Sequence, residues 1–126
     1  MKYLISLPPN VVHDFHELER KNKKQWYVDS DPKGKQAGSG GGTAHILQHC
    51  WESENHPAFL KWNHENEKII IHGGGQSRRL PAYAPAGKVL TPLPVFRWSR
   101  GQQIHQKLID LQLTLLNKIM QKSPRN

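Results

Sequence analysis

The run Ile69-Ile70-Ile71-His72 stops at Gly73-Gly74-Gly75, and that junction constrains the fold more than anything else in the sequence. Consecutive β-branched residues suit a buried strand, and three glycines cannot prolong it. The glycines lead into Gln76-Ser77-Arg78-Arg79-Leu80-Pro81. Lys88 follows nine residues after Arg79, within Lys88-Val89-Leu90-Thr91-Pro92. Glycine lets backbone N–H groups approach an anion closely, and fixed cations supply the countercharge. An arginine can fork onto two phosphate oxygens, whereas a lysine is a compact point charge. Strand, glycine turn, arginine pair and spaced lysine together describe a phosphate-handling loop. The plain alternative is a solvated basic loop.

A second glycine tract, Gly38-Ser39-Gly40-Gly41-Gly42-Thr43, stands upstream, with Lys33 and Lys35 just before it. Thr43 reads as the N-cap of a helix from Ala44 to about Glu54, which makes the tract a loop at a helix N-terminus and an anion site. It lacks the Gly-Lys-Ser/Thr ending of a P-loop and does not match Gly-x-Gly-x-x-Gly. The alternative here is a flexible linker.

The rest of the chain supports an α/β class. Tyr3 to Leu7 is a short strand or an ordered arm. Pro8-Pro9-Asn10 opens a helix carrying Val11, Val12, Phe15 and Leu18, and Trp26-Tyr27-Val28 reads as a strand. Ala58 to Asn66 reads as a short helix, Glu67 to His72 as a central parallel strand, and Val95 to Trp98 as a short strand. Gln102 to Lys122 is the expected long helix, because Ile104, Leu108, Leu111, Leu115 and Ile119 fall on one face. Such a face must pack on something.

Only 36% of the 126 residues are hydrophobic, mean hydropathy is −0.73, and ten glycines and nine prolines imply much loop. The expectation over 1–126 is therefore an incomplete domain rather than a full globular unit. A formal net charge of +8 favours polyanionic ligands without choosing among them. Cys50 is the only cysteine, so no intrachain disulfide can form, and a reducing, cytoplasmic setting is expected. The apolar run near Met1 is too short for a signal peptide and ends in two prolines. No stretch nears the roughly 20 apolar residues of a spanning helix, so no membrane partner is expected.

His45 and His49 are spaced to hold a metal from one helix face, but no third convergent ligand is evident, and no metal site is assigned. Asp29, Asp31 and Asp110 are isolated acids. Trp26, Trp51, Trp62 and Trp98 follow no basic–aromatic pattern, so core and anchoring roles are expected before stacking on single-stranded nucleic acid.

Gly74-Gly75-Gln76-Ser77-Arg78-Arg79-Leu80, with Lys88 after a spacer, resembles the Gly-Gly-x-Ser-x-Arg-Leu/Met signature of sugar-nucleotide and molybdenum-cofactor nucleotidyltransferases. The wider pattern is similar to the bacterial L-fucokinase/L-fucose-1-phosphate guanylyltransferase group. It consists of Leu7-Pro-Pro-Asn, Phe15-His-Glu-Leu-Glu-Arg, Gly38 to Thr43, His72 to Pro81 and Tyr83 to Trp98, and it covers essentially the whole chain. The resemblance implies a partial Rossmann-like nucleotide-diphospho-sugar transferase fold with two glycine-rich loops. It implies GTP and L-fucose 1-phosphate as substrates, Mg²⁺ as cofactor, and a carboxy-terminal remainder of the enzyme as partner. By motif position Arg79 and Lys88 are the catalytic pair. Gly73, Gly74, Gly75, Gln76, Ser77 and Arg78 would wrap the nucleotide, joined by Gly38, Ser39, Gly40, Gly41, Gly42 and Thr43. Two further readings stand beside this one: a non-catalytic basic module for single-stranded nucleic acid, and a truncated fragment without activity.

Overall fold

The structure, a computed structural model, describes residues 1–32, 34, 38–73, 88–93, 95–97, 101–103 and 106–124. Two compact units divide the chain, Met1–Gly87 and Lys88–Asn126.

The first unit is built on a parallel sheet of three strands: β1 (Lys2–Ser6), β2 (Trp26–Asp29) and β3 (Lys68–His72), in the order β2-β1-β3. Leu4 stands in register with Tyr27 and Ile70, and Ile5 with Val28 and Ile71. Parallel strands are stable when both faces are covered, and here they are. One face carries Leu4, Tyr27 and Ile70 against Ile46 and Cys50 of α3 (Gly38–Ser53) and Trp62 of α4 (Phe59–Glu65). On the other, Tyr3 stacks on Trp26 at 4.6 Å, and Phe15 lies 5.8 Å from the same indole. The N-terminal helical segment expected from Val11, Val12, Phe15 and Leu18 is two short helices, α1 (Pro9–Val12) and α2 (Phe15–Glu19). They bury Val11 and Phe15 and leave Leu18 exposed.

Three expectations are corrected. The central strand is β1, hydrogen-bonded on both sides, and β3 is an outer strand of this sheet. Leu4 and Ile5, both 0% exposed, are the reason: among the described residues the short Leu4–Leu7 run is the most deeply buried segment. Next, Gly38 to Thr43 is not a loop but the first turns of α3, so Thr43 is no N-cap. Its hydroxyl donates back to the Ser39 carbonyl at 2.8 Å, a bond made from inside a helix. Glycine costs about 1 kcal/mol per helical position, and tertiary packing overrides that at Gly42. That residue is buried, and a Cβ built on it would sit 3.2 Å from Asp31 Oδ1 and 3.4 Å from His72 Cε1.

The third correction falls in the second unit. The long helix is α5 (Leu108–Lys122), and Gly101–Gln103 instead forms β5, antiparallel to β4 (Val95–Arg97). The Asp110 carboxylate accepts the Lys107 backbone N–H at 3.0 Å and so fixes the later start. Within this unit Val89 and Leu90, in the 3-10 turn Lys88–Leu90, and Ile109 are buried. Of the expected stripe, Ile104 lies outside the described residues. Leu108 and Leu111 are half-buried, while Leu115 and Ile119 are 61% and 54% exposed.

Candidate functional site

In parallel sheets all carboxyl ends point the same way, and open α/β sheets bind ligands outside those ends. Here that edge gathers Ser6 from β1, Asp29 from β2, Asp31 just beyond it, His72 and Gly73 from β3, and the first three turns of α3. The Gly73 N–H donates to the Ser6 carbonyl at 2.7 Å, extending the pairing one residue past β3. The Ser6 hydroxyl, on a buried residue, donates to Asp31 Oδ1 at 3.3 Å.

Gly42 and Thr43 of the first glycine tract meet His72, the residue before Gly73. Gly42 runs close beneath its ring, and Thr43 Oγ1 lies 3.0 Å from His72 Nε2. The Thr43 proton is given to Ser39, so its oxygen accepts from the Nε2–H of His72. The structure thus brings Gly42 and Thr43 against His72 and Gly73. Gly74, Gly75, Gln76, Ser77, Arg78 and Arg79 lie outside the described residues. Lys88 stands exposed in the second unit, at the start of the 3-10 turn.

One constellation was not assembled from the sequence. The His49 Nδ1–H donates to Asp29 Oδ2 at 2.9 Å, and His45 Nε2 is 3.9 Å from the same oxygen. The imidazole rings are 3.9 Å apart, centroid to centroid. Asp29 Oδ1 accepts the Ser30 N–H at 2.7 Å, and the Tyr27 hydroxyl also hydrogen-bonds this carboxylate. Burial, then the charge of Asp29, pushes the Tyr27 phenol up to about 12, so it remains a donor through neutral pH. A sequence signal for this cluster existed. An acid closing a strand sits beside the helix that follows in a parallel β–α unit, and His45 and His49 lie about two and three turns into that helix.

Mg²⁺, implied by the resemblance, takes oxygen ligands and retains several waters. Asp31 is hydrogen-bonded to Ser6, and Asp29 faces two imidazoles. That donor set does not fit magnesium, and no step through it is assigned to the described residues.

No family model matches the chain, and no solved structure does. The resemblance expected from the sequence is borne out by curated relatives. The chain is 54% identical over 125 residues, 98% of its length, to L-fucokinase/L-fucose-1-P guanylyltransferase of Bacteroides fragilis. Over 91 residues it is 37% identical to the fucose-1-phosphate guanylyltransferases of Mus musculus and Homo sapiens. It spans only 13% of the bacterial protein and 14% and 13% of the mouse and human ones.

Proposed function

We propose that this chain is the nucleotide-binding part of a sugar-1-phosphate guanylyltransferase, which converts GTP and L-fucose 1-phosphate to GDP-L-fucose and pyrophosphate. The observation that carries the reading is the 54% identity across 98% of the chain to an enzyme of that name. The parallel sheet supports it, because Gly73 stands at the carboxyl end of β3, where a partial Rossmann-like fold holds nucleotide.

In this reading a phosphate oxygen of the sugar phosphate attacks the α-phosphorus of GTP in line. The bond to the bridging oxygen breaks, and its electron pair leaves with pyrophosphate. No covalent enzyme intermediate is needed, so positioning and electrostatics carry the chemistry. Arg79 holds the leaving β- and γ-phosphates, and Lys88 stabilises charge at the α-phosphate. Gly73 to Arg78 contact the nucleotide. Gly38 to Thr43 contribute as the N-terminal turns of α3, whose N–H groups favour an anion. The expected partner is the remainder of such an enzyme, and exposed Leu115 and Ile119 suit contact with it. The chain by itself turns over no substrate. A reducing, cytoplasmic setting suits buried, unpaired Cys50.

The experiment is a titration of the chain with GTP and, separately, with a single-stranded oligonucleotide. GTP should bind in a salt-sensitive manner, since exposed phosphate contacts are screened over about 10 Å at ordinary ionic strength. Tighter binding of the oligonucleotide would favour the nucleic-acid module instead. Where the segment forms part of a full-length enzyme, Arg79→Ala and Lys88→Ala should each lower turnover by roughly 10²–10³. Arg79→Lys should not rescue, because an ammonium cannot fork.

A further inference from the structure

We propose that Asp29, His45 and His49 form a binding site for a first-row transition metal ion of the Zn²⁺ type, with a fourth position left to water. One ligand atom from each of the three residues lies within 4.8 Å of the others. His45 and His49 project from successive turns of α3, the spacing that places two imidazoles on one zinc. Asp29 arrives from a different element, the end of β2, so the three converge from two sides.

The two oxygen–nitrogen edges are near those of an occupied site. Ligands 2.0–2.1 Å from a tetrahedral zinc stand about 3.3–3.4 Å apart. The carboxylate oxygen is 2.9 Å from one ligating nitrogen and 3.9 Å from the other. Movements of about half an ångström, one outward and one inward, reach the tetrahedral edge. The metal must displace the proton on His49 Nδ1 from that oxygen. That proton moves to Nε2 of the same ring, and the freed lone pair takes the metal. Asp29 is held from behind by the Tyr27 hydroxyl and the Ser30 N–H, the outer hydrogen bonds that orient a ligating carboxylate.

The donor set chooses the ion. Two imidazoles and one carboxylate suit zinc, cobalt or nickel, whereas magnesium prefers oxygen alone. A hydrolytic zinc helix of the His-Glu-x-x-His type carries a general base after the first histidine. Here that position is Ile46, buried in the core against Leu4. The site therefore clamps the end of β2 to α3 rather than cutting a substrate. The inference is independent of the nucleotidyl-transfer reading.

The test uses tag-free chain, stripped with chelator, then titrated with Zn²⁺ against a chromophoric competitor and with Co²⁺ by visible absorption. One ion per chain is expected. Co²⁺ should give the intense bands of a four-coordinate site, and Zn²⁺ should raise the melting temperature, since it binds only the folded chain. Millimolar Mg²⁺ should not compete. His45→Gln and His49→Gln should each weaken Zn²⁺ by at least about 100-fold, and Tyr27→Phe by about 10-fold. His13→Gln with His16→Gln, another closely spaced pair, should change nothing. Circular dichroism checks that each variant is folded, and His49, 43% exposed, is the substitution best tolerated. Zn²⁺ binding unchanged in folded His45→Gln and His49→Gln, or lost equally in the His13/His16 control, overturns the site.

Discussion

The two ends of the three-stranded sheet are built from the same strands and have opposite characters. At the amino end the polar groups satisfy one another. Glu54 accepts from Lys2 and Cys50 through one oxygen and from the Trp62 indole, at 2.8 Å, through the other. Lys68 donates to the carbonyls of Trp62, Asn63 and Asn66, closing the end of α4, and its ammonium lies 4.1 Å from the Trp62 ring centre. Burial is the main reason the Lys68 ammonium is pulled down from its ordinary pKa. At the carboxyl end the groups crowd without saturating. Two imidazoles address one carboxylate oxygen, and a third imidazole packs against a glycine. Reversing the direction of β1 relative to its neighbours would mix these chemistries. Parallel pairing keeps structural polar groups at one end and ligand-type groups at the other.

If this division holds, substitutions at the amino end cost stability, and those at the carboxyl end cost binding. The largest effect should come from Trp62→Ala, which empties a core position 1% exposed and removes the indole donor to Glu54 and the ring beside the Lys68 ammonium. A loss of about 3–5 kcal/mol is expected in urea unfolding. A smaller loss would mean the amino end is not what holds the sheet. Cys50 supplies a second readout. It is fully buried, and desolvation raises its thiol pKa, so alkylation at neutral pH should proceed only through opening. Labelling should speed up in the Trp62 variant.

Gly42→Val comes next and crosses the division. The added carbons press on Asp31 and His72, and overpacking of this kind costs about 1–3 kcal/mol. A value near zero would show that α3 can move away from the sheet freely.

Glu54→Gln keeps the shape and removes the charge facing Lys2. About 1 kcal/mol is expected, since the pair is partly solvated. His49→Gln without metal should fall within about 0.5 kcal/mol of the parent. If His49→Gln costs more than Glu54→Gln in metal-free chain, the carboxyl end is structural after all.

What the sequence disclosed follows from how local each signal was. Ile69 to Ile71 carries its strand in its own residues, and Phe59 to Glu65 its helix. β1 was legible only as a short strand or arm, because its central place depends on partners 23 and 66 positions away, as in Tyr3↔Trp26 and Tyr3↔Ile69. α3 defied propensity at Gly42 because a close approach to Asp31 and His72 demanded glycine there, whereas a side chain at Gly38 or Gly40 would meet nothing. The start of α5 was hidden because the apolar rhythm of Leu108 to Ile119 ran on backwards through Ile104, past the Asp110 cap. In the candidate site, the i, i+4 histidines were visible and Asp29 was not connected to them, since only the β–α crossover brings position 29 to positions 45 and 49.

The position of β1 has a consequence for how the chain is made. This strand precedes both of its neighbours, and its last pairing, Ser6 with His72, waits for sixty-odd residues to be added. At about 5–20 residues per second a ribosome needs roughly 3–13 s to supply them. Through that interval an apolar Tyr-Leu-Ile stretch has at least one open edge, the condition in which strands pair with strangers. The nascent chain is then a client for whatever cellular factor shields unpaired strands. Slowing of synthesis between codons 30 and 68 should lower the yield of folded protein more than the same slowing after codon 72.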